Sequence, residues 1–147
     1  MNRSMNYENA LNRYPIEKIN EAVEDLKYGR KLYPDFKTSL NDDSRFTRHN
    51  AIDFFLYLSA GKPELIDSDI LVELHKSLFD NDAAVRLATV RTLGILGKQE
   101  SLTALQELQN IEVEDDWVKM ALKEAIRAIN GTLDLSGAKF IKDPSSL

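Results

Sequence analysis

Residues 80–97 read DNDAAVRLATVRTLGILG. After its acidic start, this stretch places apolar residues on almost every side of the helix it predicts. A helix at a protein surface keeps one face polar, and this one keeps very little. The arrangement calls for a helix with neighbours on several sides, so the surrounding sequence must supply them.

The flanking sequence is helical throughout. Pro15 opens a segment in which Ile16, Ile19, Val23 and Leu26 fall at helical spacing. After Pro34 and a connection rich in Asp, Asn and Ser, a helix is expected from about Ser44 to Ala60, ended by Gly61 and Pro63. Asp67 or Ser68 caps the next, which buries Leu71, Leu74 and Leu78. The opening stretch follows at once. A short helix then carries Leu102, Leu105 and Leu108, and a last one runs from about Asp115 to Asn130, stopped by Gly131. No period-two pattern indicates a strand.

Six helices suggest three pairs, and the sequence repeats accordingly. Val85, Ala88, Leu93 and Leu96 recur 33 residues later as Val118, Ala121, Ile126 and Ile129, with Arg86 over Lys119 and Asp82 over Asp115. The preceding helices repeat at 34, Leu71 over Leu105 and Leu74 over Leu108. The first pair is more diverged: Ala51 reaches Ala88 at an offset of 37, and Arg48 reaches Arg86 at 38. In a stack of helix pairs, an inner helix touches its own partner and the helices before and after. Val85, Leu87, Ala88, Val90, Leu93, Ile95 and Leu96 then all find apolar contacts. Gly94 and Gly97 are expected to admit neighbouring backbones closely. A GxxG loop that clamps nucleic-acid backbone sits between helices, whereas GILG ends one.

An acidic turn, Val-Arg, a small residue and an apolar run ending Leu-Gly together resemble the HEAT repeat. In detail they resemble the short HEAT-like repeats of bilin lyases and other phycobilisome proteins. The residues that carry the resemblance are Asp82, Val85, Arg86, Ala88, Leu93, Leu96 and Gly97. In the next unit they are Asp115, Val118, Lys119, Ala121, Ile126 and Ile129. Asn130 stands where the last unit would carry its glycine, and the first unit lacks a clear Val-Arg. The resemblance implies an all-α fold, an α-solenoid or α-α superhelix of about three HEAT-like helix pairs, covering residues 15–61, 66–97 and 100–131. Residues 1–14 and 132–147 are read as tails that either cap the stack through Tyr7, Leu11, Tyr14, Leu133, Leu135, Phe140 and Ile141, are disordered or mediate a dimer. It also implies protein binding through the inner faces of the second helices. The alternative it implies is an accessory or regulatory role in phycobiliprotein or bilin assembly or degradation.

Composition fits one domain of 147 residues and excludes much chemistry. The absence of cysteine removes disulfides, thiolate metal sites and cysteine nucleophiles. A net charge of −5 gives no global attraction to nucleic acid or anionic membranes. The first residues lack the apolar core of a signal peptide, and no apolar run approaches the roughly 20 residues that span a bilayer. A cytosolic protein is expected. No nucleotide fingerprint, nucleophile elbow or zinc-protease motif occurs, and His49 and His75 read as ordinary polar-face residues without companion ligands. We therefore expect no enzyme activity, no cofactor and no metal.

The acidic clusters at Asp42–Asp43, Asp67–Asp69, Asp80–Asp82 and Glu114–Asp116 each precede a helix. Capping accounts for them, at about 0.5–2 kcal/mol for each cap. Arg86 is expected to pair with Asp82, four residues earlier. Two features remain as candidate protein-binding sites. Lys119, Lys123 and Arg127 form a basic stripe on the last helix beside Trp117 and Met120, which reads first as the solvated face of a terminal helix and otherwise as a binding face whose charge count suits an acidic protein patch better than DNA. The helix from about Ser44 carries Arg48 and an excess of aromatics in Phe46, Phe54, Phe55 and Tyr57, of which most are expected in the core and one or two as anchors. We take Arg48 and Phe54 from it as candidate contacts, for a partner peptide or a flat ligand.

Overall fold

The computed structural model describes residues 37–111 and 115–131, and within them the chain is helical, with no strand. The helices are α1 (Arg45–Gly61), α2 (Ser68–Ser77), α3 (Ala83–Leu96), α4 (Leu102–Gln109) and α5 (Asp116–Ile129). Single 3-10 turns at Pro63–Leu65 and Gln99–Ser101 lead into α2 and α4. The segment opened by Pro15, both tails and Glu114 lie outside the described residues.

Local chemistry sets the helix boundaries. Asp67 accepts from the amide of Ile70, Asp82 from that of Ala84 at 2.8 Å, and Asp115 from that of Trp117 at 2.8 Å. Three of the four acidic clusters therefore cap as their sequence position implies. The first behaves differently: Ser44 is the N-cap of α1, and Asp42 accepts from the Ser44 amide at 2.9 Å, fixing the turn before it. At the other ends, Gly97 closes α3 with φ +67°, a left-handed conformation that costs glycine nothing. Gly131, φ +81°, does so one residue beyond Asn130, which explains the displaced glycine of the last unit.

Among the described residues the opening stretch lies between the other helices. Helix α3 packs extensively against both α1 and α5, α2 lies on α3, and α4 lies on α5. Val85, Ala88, Val90 and Leu93 are buried, and Leu87 and Leu96 pack on the same core from its edge. Thr89 and Thr92 are fully buried as well. Each hydroxyl donates to a carbonyl one turn back, Thr89 to Val85 and Thr92 to Ala88, both at 2.7 Å. That local bond satisfies a polar group which would otherwise be costly to bury. Gly94 is buried in α3 as expected, but Gly97 is exposed, with open space where a Cβ would stand. Its glycine serves the turn and not a close approach of backbones.

Helix α1 is covered all round from Ala51 to Ser59. Phe54 and Phe55, with ring centroids 5.2 Å apart in an edge-to-face contact, join Leu74, Leu78, Leu105, Leu108 and Leu122 in one continuous core. At the far end Gln99 donates to the carbonyl of Ile129 at 3.0 Å, tying the turn before α4 to the last turn of α5.

Candidate functional site

The six candidate contact residues separate into two groups. Lys119, Lys123 and Arg127 are all exposed on α5, opposite Val118, Ala121, Leu122, Ala125 and Ile129, which face the core. At 3.6 residues per turn the three cations fall within about 80° of arc and span about 12 Å along the axis, and exposed Asp116, at the start of the helix, falls within the same arc. Met120, 44% exposed, lies at the edge of this stripe, and half-buried Trp117 marks the border with the core. The three cations are thus brought together on one face, with Trp117 outside it at the core margin.

Phe54 and Arg48 do not belong to it. Phe54 is 1% exposed and is a core residue, because α1 is enclosed on every side at that level. The exposed aromatic of this helix is Phe46, 69% exposed and covered on one face by the Arg45 guanidinium 5.0 Å from its centroid.

Arg48 is committed to an internal network. Its Nε donates to Asp80 Oδ2 at 2.7 Å and its Nη2 to Asp80 Oδ1 at 3.1 Å and Asn81 Oδ1 at 3.0 Å. Its Nη1 donates to the main-chain oxygens of Asp42 and Asp43, both at 2.9 Å. The hydrogen bond to Asp80 raises the Arg48 pKa further above its already high value. Arg86 adds a bond from Nη1 to the Asp80 carbonyl at 2.7 Å, while Asp82 lies 3.9 Å from Arg45. Asp80 is therefore the anchor of an arginine site and not a helix cap. An open hollow of about 480 Å³ adjoins the network, lined by Asp42, Asp43, Lys76, Phe79 and Asn81 among others.

Both histidines are half-buried, and each lies beside a buried polar side chain. His49 Nδ1 lies 3.5 Å from the carboxylate of buried Asp53. His75 Nε2 lies 2.8 Å from Ser101 Oγ, which is fully buried. Burial pushes the His75 pKa below its ordinary value, partly opposed by Glu100. Sequence reading missed this pair because 26 residues separate its members. It has the atoms of a nucleophile and base, but the hydroxyl is closed to substrate. Among the described residues no group of three or more potential ligands is placed to hold a metal ion, and no helix is long and apolar enough to cross a membrane.

Among the described residues α3 packs on both α1 and α5, and of these three helices α5 alone carries a run of exposed cations. Between Ala83 and Leu96 only Ala84 of α3 is exposed. Comparison of the chain with family models, characterised proteins and solved structures gave no match.

Proposed function

We propose that the chain is a non-catalytic adaptor, an α-solenoid of HEAT-like helix pairs that binds another protein through the exposed face of α5. The observation that carries this reading is the contrast between two helices: α3 is used up in packing, and α5 turns three cations outward from an otherwise acidic chain. A fold of this kind offers a rigid surface, and rigid placement of side chains is what recognition needs.

Affinity capture from the native host tests the reading with wild type and a Lys119→Glu, Lys123→Glu, Arg127→Glu variant. A partner held by wild type and lost by the folded variant supports it. Equal capture by both would remove α5 from the assignment. In parallel, an added linear tetrapyrrole whose visible absorbance shifts on mixing would move the function to the bilin-handling alternative.

A further inference from the structure

We infer that the α5 face takes a short acidic segment of its protein partner, with carboxylates seated on Lys119, Lys123 and Arg127. The inference rests on the adaptor reading above and specifies its partner's chemistry. Each step along the stripe rises about 6 Å, the length of four helical residues. A helix carrying Glu at every fourth position offers carboxylates at the same interval. Met120, beside the cations, gives such a segment a deformable apolar contact.

The same face is poorly suited to other anionic partners. Duplex DNA draws its affinity from many phosphate contacts, roughly 6–10 in proteins of ordinary salt dependence, and this stripe offers three cations on a chain of net charge −5. Such a chain repels an extended polyanion, while a short segment seated from Lys119 to Arg127 meets three cations and leaves Asp116, the one exposed carboxylate in their arc, beyond its end. A membrane-surface helix needs a broad apolar face, and on α5 the one large apolar side chain that is exposed is Met120.

The test titrates the full chain into labelled synthetic peptides and follows polarisation, with fluorescence of Trp117, the single tryptophan, as a second signal. A helical peptide with Glu at every fourth position is expected to bind at low salt and to weaken about tenfold when Lys119, Lys123 and Arg127 are all changed to Gln. A Lys119→Arg, Lys123→Arg variant is expected to retain binding, since charge is kept. The inference is overturned if the peptide fails to bind, if a Gln-for-Glu peptide binds equally, or if duplex DNA or anionic vesicles bind more tightly. Failure of the peptide leaves the adaptor reading to be decided by capture from the host, where a partner of any chemistry held by wild type and lost by the α5 variant still supports it.

Discussion

Arg48 in the first turn of α1 holds Asp80, in the turn before α3, through two parallel hydrogen bonds of 2.7 and 3.1 Å. The side chains are only 12% and 8% exposed, so water competes weakly for them. The remaining nitrogen satisfies two main-chain oxygens of the preceding turn, and one guanidinium thereby joins two inter-helix turns. Removing it as Arg48→Ala leaves a largely buried carboxylate without this partner and is expected to cost about 2–3 kcal/mol. For a chain of this size that lowers the thermal midpoint by roughly 5–10 °C. Arg48→Lys should recover less than half, because an ammonium cannot reproduce the fork. A midpoint unchanged in both variants would dismiss the network as a determinant of stability.

His75 makes stability depend on pH. Its pKa is lower in the folded chain than in the unfolded one, so the unfolded chain takes up the proton first as pH falls. The contribution of neutral His75 is complete above the unfolded value, about 6.5, and is lost as pH falls through the folded value. His75→Gln should therefore flatten the change in urea midpoint between about pH 7.5 and pH 5. Equal pH dependence in the variant and wild type would show that His75 is not the responsible group.

The two glycines of GILG should respond differently. Gly94 is buried inside α3, and Gly94→Val is expected to destabilise by roughly 1–3 kcal/mol through overpacking, although valine is the better helix former. At Gly97 the space is open and the φ of +67° is the obstacle. Gly97→Ala should cost about 1 kcal/mol and Gly97→Asn less, since asparagine tolerates the left-handed region. Chemical denaturation of the three variants distinguishes packing from backbone strain.

Aromatic truncation separates core from surface on one helix. Phe54→Ala is expected to lose about 3–5 kcal/mol, the range for emptying a buried aromatic site. Phe46→Ala, eight residues earlier, should stay within about 0.5 kcal/mol. Similar losses at both positions would contradict the burial pattern of α1.

Features decided within one turn of chain were legible in the sequence. Asp67, Asp82 and Asp115 cap because a cap is made within three residues, and the apolar spacing placed all five described helices. The basic stripe was legible for the same reason, since Lys119, Lys123 and Arg127 share a face by periodicity alone. The division of labour among Phe46, Phe54, Phe55 and Tyr57 was not, because it depends on what covers each side of α1. Nor was the fate of Arg48, whose partner stands 32 residues away. Ser101 misleads a local reading still further: placed at the N-cap of α4, it makes no side-chain capping bond and instead meets His75.

Thr89 and Thr92 carry a consequence for the chain before it folds. In the folded protein their hydroxyls are spent on their own helix and ask nothing of α1 or α5. Valine at both positions would fill nearly the same volume, yet residues 83–96 would then become a much stickier stretch on the nascent polypeptide. The hydroxyls are visible to water only while the chain is open. Threonine at both positions thus keeps residues 83–96 less apolar in the open chain, with no unmet polar group in the folded interior.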